Sequence, residues 1–253
     1  MADSINQYLW VVGGGILQLP LIQEAKKLNY NIIVTDGNSD SVCSSKADIF
    51  RCIDIFDIPT HIKFAKTLQS KNINISGVIA AGIDCHETMA KIAELLSLPG
   101  VTSKISNLVR NKDLFRNKMK GMFIPVPSYY VIDINNIKSL KTKISNIGYP
   151  LIIKNTSSSG SRGTKIFYES DYKGVLEMAY EAIKVSKSKK ALIESLWEGS
   201  EHTVETLFDI NGKFHECFIT DRIFDKTNGY ALETGLVHPT RLPNDVQNQM
   251  YEL

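Results

Sequence analysis

The sequence predicts an α/β class for its first part and an α+β class for its second. Up to about residue 100, short β-branched runs alternate with amphipathic helical stretches, the pattern of a parallel sheet. Further on, an apolar run ending in lysine, Leu151–Lys154, enters a loop of small residues, Thr156–Gly163, and a second β-prone run, Thr164–Tyr168, leaves it. Later still, Asn211-Gly212 separates two β-prone segments, a strong short-range hairpin signal.

At 253 residues the chain can bury a core, and its length suits one large or two smaller domains. The formal net charge of +2 is too small to point to nucleic acid or a membrane as a partner. Cys43, Cys52, Cys85 and Cys217 are scattered without a CxxC pair, which reads as reduced thiols rather than a disulfide frame or a zinc site. MADSINQ lacks the charged start and apolar core of a secretion signal, and no apolar run approaches the roughly 20 residues that span a bilayer. A cytoplasmic protein acting on small molecules is expected.

Tyr8–Val12 is a buried-type strand, Gly13-Gly14-Gly15 follows, and Leu19–Leu28 has helical periodicity. Asn31–Thr35 is the second strand and ends on Asp36. This is the opening βαβ of a Rossmann-like, doubly wound sheet. A dinucleotide site with Asp36 on a ribose is one reading, but the glycine pattern is GGGILQ rather than GxGxxG. Ala47–Ile53 reads as a strand, Thr60–Lys71 as a helix and Gly77–Ala81 as a buried strand. Gly82, Asp84 and His86 follow at the strand end that faces the crevice of such a sheet, where Asp84 equally suits the N-cap of a helix over His86–Leu96. Leu98-Pro99-Gly100 closes that helix and the domain.

Asn111–Gly121 is a basic helix, Ser128–Ile132 a strand and Asn135–Asn146 a helix. Asp171–Ser186 is a helix with Val175, Ala179, Ala182 and Ile183 on one face. Ala191–Leu196 is a strand, His202–Asp209 and Lys213–Thr220 form the Asn-Gly hairpin, and a last helix begins at Pro243 with Asn244 as its cap. In the Thr156–Gly163 loop, glycines let backbone N–H groups converge on an anion, and Lys154 and Arg162 add positive charge. The loop reads either as a phosphate cradle or as a flexible hairpin tip. It is not a Walker A loop, because a strand follows it and no Gly-Lys-Ser/Thr is present.

GYPLIIKNTSSSGSRGTK resembles the phosphate-covering loop of the ATP-grasp superfamily, which includes biotin carboxylase, the carbamoyl-phosphate synthetase large chain and D-alanine–D-alanine ligase. GGGILQLPLIQEAKKLNYNIIVTD and GIDCHETMAKIAELLSLPG resemble the preATP-grasp domain that precedes that fold. The resemblance implies a Rossmann-like preATP-grasp domain over 1–102 and an ATP-grasp domain over 103–253, with a small subdomain at about 111–188 and the start of a large one at 190–253. It further implies that ATP is held by Lys112, Lys154, Ser158, Ser159, Gly160, Ser161 and Gly163 at its phosphates, by Glu194 and Leu196 at its adenine, and by Glu201 at its ribose. The family also uses Mg2+, held by a glutamate and a Glu-x-Asn pair that lie beyond this sequence, so the C-terminal part of the fold is expected to be missing. Catalytic and metal residues are therefore unassigned. The implied reaction is ADP-forming ligation, in which a carboxylate becomes an acyl phosphate and an amine or similar nucleophile displaces phosphate. Small-molecule substrates are expected, and a homodimer is compatible with this reading. A non-catalytic nucleotide-binding module and an NAD(P)-dependent Rossmann enzyme are the rival readings.

Overall fold

The structure is a computed structural model that describes residues 7–157, 163–225, 229–230 and 232–252. The chain forms two compact units, Met1–Asn107 and Leu108–Leu253. No described helix is long and apolar enough to cross a membrane.

The first unit contains β1 (Gln7–Val12), α1 (Leu19–Lys27), β2 (Asn31–Asp36), β3 (Ile49–Cys52), α2 (Ile58–Ser70), β4 (Asn74–Ile79) and α3 (His86–Leu95). Its four strands pair in the order β3-β2-β1-β4, all parallel. Strand periodicity sorts the core into two layers. Trp10, Val12 and Ile33 pack with Ala65 and Leu68 of α2 and Ile92 of α3. Val11, Ile32 and Val34 pack on the other side with Ile22 and Ala25 of α1. Helices thus cover both faces, as buried parallel strands require.

The Asp57 carboxylate accepts from the Thr60 N–H at 3.1 Å and caps α2, with Pro59 in the first turn. Cys85, not Asp84, occupies the N-cap of α3. Buried Trp10 donates from Nε1 to Thr35 Oγ1 at 3.0 Å, and the Thr35 hydroxyl meets His61 Nε2 at 3.1 Å. His61 Nδ1 lies 2.8 Å from the Asp57 carbonyl, so Nδ1 carries the proton and Nε2 accepts from Thr35. Burial pushes the His61 pKa down, which keeps the ring neutral.

The unit boundary falls inside α4 (Ser103–Arg110), a helix that the sequence reading did not anticipate. The second unit continues with α5 (Lys112–Gly121), β5 (Tyr129–Ile132), α6 (Leu140–Ile147), β6 (Leu151–Asn155), β7 (Thr164–Phe167), α7 (Tyr172–Val185) and β8 (Ala191–Ser195). These four strands form an antiparallel sheet in the order β5-β8-β6-β7. Leu151, Ile153, Ala191 and Ile193 face a core built with Leu140 and Ile144 of α6 and Val175, Ala179, Ala182 and Ile183 of α7. The alternate residues Ile152, Lys154, Leu192 and Glu194 therefore share the opposite face.

A second sheet of this unit has the order β11-β10-β9, from β9 (Glu201–Phe208), β10 (Phe214–Asp225) and β11 (Leu232–Val237). The Asn-Gly turn joins β9 to β10, with Gly212 at φ +75° and its N–H on the Asp209 carbonyl at 2.9 Å. Helix α8 (Asn244–Tyr251) follows, capped by Pro243 rather than Asn244.

Candidate functional site

Lys154 and Glu194 are brought together by strand register. Glu194 lies opposite Ile152 and Lys154 opposite Leu192, so the two charged residues are diagonal neighbours on one face of the β8–β6 pair. Lys154 Nζ lies 2.8 Å from Glu194 Oε2. On the other side, Arg116 Nε donates to Glu194 Oε1 at 2.6 Å and Arg116 Nη2 reaches Oε2 at 3.4 Å. The Glu194 side chain is only 1% exposed, whereas Arg116 and Lys154 keep 23% and 24%. Burial alone would raise the Glu194 pKa, but the adjacent Lys154 ammonium and Arg116 guanidinium outweigh it and hold the carboxyl below its ordinary value. One carboxylate between two cations leaves the cluster with a net positive charge at the root of the Gly/Ser loop.

That root is fixed by hydroxyl groups. Thr156 Oγ1 meets Ser188 Oγ at 2.5 Å and Ser186 Oγ at 3.1 Å. Ser157 Oγ meets Ser186 Oγ at 3.1 Å and accepts from the Lys187 N–H at 2.8 Å. Thr156, Ser157 and Ser186 are buried, so these contacts satisfy groups that water cannot reach. The end of β6 is thereby tied to the segment after α7. Lys112, the first residue of α5, joins the same root through its backbone N–H, which donates to the Thr156 carbonyl at 2.9 Å. Asp113 is buried and faces Lys190 Nζ at 3.5 Å.

On the far side of the loop, Gly163 has φ +65°, and its carbonyl accepts from the Asn155 N–H at 3.0 Å. A Cβ there would stand 2.8 Å from Val185 Cγ2 and 3.4 Å from Ala182 Cα. Glycine is required by conformation and by the approach of α7. Ser158, Ser159, Gly160, Ser161 and Arg162 lie outside the described residues.

The remaining expected residues lie on β8, just beyond it and on β9. The Glu194 carboxylate is engaged by the two cations, and its strand is paired on both sides, with β5 and β6. The Leu196 N–H already donates to the Pro150 carbonyl at 3.0 Å. The next residue, Trp197, carries a side chain that is 59% exposed. Glu201 opens β9 in the other sheet, 3.7 Å from Arg222 Nη1, and Arg222 also pairs with Glu233. On the neighbouring register position, His202 Nδ1 lies 3.0 Å from Asp221 Oδ1, and Thr240 and the Arg241 N–H also donate to that carboxylate.

Arg116 is the partner of Glu194 that the sequence reading did not single out. Its signal was its place four residues after Lys112, on the same face of α5.

In the first unit, the glycine loop is internally satisfied. The Gly14 N–H donates to Asp36 Oδ2 at 2.7 Å, and the Asn38 N–H to Asp36 Oδ1 at 2.8 Å. The Gly15 N–H donates to buried Gln18 Oε1 at 2.8 Å. Asp36 therefore closes the loop on itself.

The sequence profile of the ATP-grasp domain family matches residues 147–253. The chain is 29% identical to a D-alanine–D-alanine ligase of Thermoanaerobacter sp. (strain X514) over 113 residues, covering 42% of this chain and 30% of that protein. It is 22% identical to a 3-methyl-D-ornithine–L-lysine ligase of Methanosarcina acetivorans over 212 residues, covering 82% of this chain and 52% of that protein. Among solved structures, an ADP complex of N5-carboxyaminoimidazole ribonucleotide synthetase superposes with a TM-score of 0.76 at 18% identity, covering 98% of this chain and 61% of that one. The chain thus spans between 30% and 61% of the length of these relatives. Residues 147–253, under half of the chain, match the ATP-grasp family profile, and this match supports membership of the ATP-grasp superfamily.

Proposed function

We propose that the chain is the nucleotide-binding part of an ATP-dependent ligase that joins a carboxylate to an amine. The single observation that carries this reading is Lys154, held by Glu194 at the end of β6 where the Gly/Ser loop of an ATP-grasp domain begins. In the reaction, a carboxylate oxygen of the acid attacks the γ-phosphorus of ATP and ADP leaves. The amine then attacks the acyl carbon and phosphate leaves. Lys154 and the loop would neutralise charge on the transferring phosphoryl group, so positioning and electrostatics carry the contribution of these residues. Lys112, the loop residues Ser158 to Ser161 and Gly163 would share the phosphates. The segment that follows β8 would lie beside the adenine and Glu201 beside the ribose. The ligases that this chain resembles by sequence support a carboxylate and an amine as the substrate classes.

The carboxylates described here do not fit a resident magnesium ion. Glu194 is taken by Arg116 and Lys154, and Asp221 by His202, Thr240 and Arg241. Among the described residues, no group of three or more His, Cys, Asp or Glu is placed to hold a metal. No step through a metal is assigned to these residues. A second reading is a module that binds ATP without turning it over.

Equilibrium dialysis of this chain with ATP, with and without magnesium, tests the reading, beside Lys154→Ala. ADP release with a panel of small carboxylates and amines then separates the two forms. Binding that Lys154→Ala weakens supports the site, and substrate-dependent ADP release supports the ligase. Equal ATP retention by both proteins would remove the reading.

A further inference from the structure

We infer that Arg116 is a positioning residue that makes Lys154 transferable from Glu194 to an anionic ligand. The inference rests on the nucleotide reading above. A buried carboxylate with one cationic partner holds that partner tightly, because releasing it leaves an uncompensated charge away from water. Among the described residues, Glu194 has two partners, Arg116 and Lys154. Arg116 reaches both carboxylate oxygens, at 2.6 Å and 3.4 Å, a two-point contact that fixes the carboxylate independently of Lys154. Lys154 donates to one oxygen, Oε2, at 2.8 Å. Its side chain is 24% exposed, so it has a route to solvent that Glu194, at 1%, lacks. When an anion arrives, Lys154 turns to it and Glu194 remains paired.

The arrangement also explains why α5 begins at the loop root. The Lys112 N–H fixes the first turn of α5 on Thr156, and one helical turn later Arg116 falls beside Glu194. One helix thus registers the root of the loop and the counter-charge for its lysine.

The test uses the 253-residue chain and the variants Arg116→Gln, Arg116→Lys, Glu194→Gln and Arg116→Gln/Glu194→Gln, each checked for a cooperative thermal transition. The first readout needs no nucleotide: the rate at which acetic anhydride labels Lys154, measured by mass spectrometry against the other lysines. Labelling should slow at least threefold in Arg116→Gln, where Lys154 becomes the sole partner of Glu194, and should rise in Glu194→Gln. The second readout is ATP affinity. Arg116→Gln should weaken it about tenfold or more, since Lys154 can leave only by stranding a buried carboxylate. Arg116→Lys, which keeps a cation, should retain most of it. The double variant should recover to within about threefold of the unmodified chain, because nothing then retains Lys154.

A purely structural Arg116 would leave the double variant no better than Arg116→Gln, and unchanged Lys154 labelling in Arg116→Gln would overturn the inference outright. If the unmodified chain binds no ATP while Lys154 labelling responds as described, the nucleotide reading fails and the coupling of Arg116 to Lys154 stands. If ATP binds and labelling does not respond, the reverse holds.

Discussion

The Thr35 hydroxyl and the His61 imidazole face each other at 3.1 Å in the core of the first unit, with His61 fully buried. The hydroxyl serves Trp10 and His61 at once, so Thr35→Val removes an acceptor and a donor together. Each orphaned group costs about 1–3 kcal/mol when buried. Thr35→Val should therefore lower the stability of the chain by about 2 kcal/mol or more by chemical denaturation. A loss below about 0.5 kcal/mol would mean that this chain of hydrogen bonds is not formed.

His61 also gives the chain a pH dependence. Its folded pKa is below its ordinary value because burial disfavours the imidazolium. The folded state thus binds fewer protons than the unfolded one as the pH falls. The stabilisation is fully present above about pH 6.5, the unfolded value, and is lost progressively below it. Denaturation midpoints between pH 8 and pH 5 should fall with acid, and His61→Gln should flatten that slope while starting from a less stable protein.

Glu194 acts at lower pH. Its folded pKa is held below its ordinary value, with burial opposing the shift and Lys154 and Arg116 producing it. Its stabilisation is present above about pH 4.3 and is lost as the pH falls through the folded value. Glu194→Gln should remove this acid-dependent component. At neutral pH it should cost about 2 kcal/mol, less than the 3–5 typical of a broken fully buried pair, because both cations keep about a quarter of their side-chain surface in water.

Gly163→Ala should injure the loop without unfolding the unit. A side chain at φ +65° costs about 1–2 kcal/mol, and the added methyl meets Val185 and Ala182. Stability should drop by about that amount. ATP affinity should drop further, because the β7 end of the loop must move. Unchanged ATP binding in Gly163→Ala would show that the loop takes no part in holding phosphate.

Much of the fold was legible because periodicity and breakers agreed. The parallel sheet followed from β-branched runs separated by amphipathic helices, and the β6–β7 pair from an apolar strand on either side of a Gly/Ser loop. The α7 face named from spacing, Val175, Ala179, Ala182 and Ile183, is the buried one. Helix α4 escaped because Ser103–Arg110 is short and polar, with only one residue, Ser106, buried. Strand β11 escaped because Leu232–Val237 contains Gly235 and has mostly exposed side chains. The Lys154–Glu194 contact needed the β6–β8 register, which links residues 40 apart and leaves no local trace. Arg116 was hidden for the same reason, since a basic helix reads as a solvated face until its partner carboxylate is located. The Leu196 N–H bond to the Pro150 carbonyl was equally out of reach, because sequence gives the donor and not the acceptor across the sheet.

The two tryptophans of this chain fall one in each unit. Trp10 is 0% exposed, with its indole against Phe64 and the His61 ring, whereas Trp197 is 59% exposed two residues past β8. The intrinsic fluorescence is accordingly a sum of two separable signals. Trp10 emits to the blue and is shielded from acrylamide, and Trp197 emits to the red and is quenched. Acid that charges His61 dims only the first. A ligand settling beside the strand of Glu194 alters only the second. Replacing either indole with phenylalanine leaves a single-colour probe, so the opening of one unit and the filling of the other can be followed in one cuvette without a label.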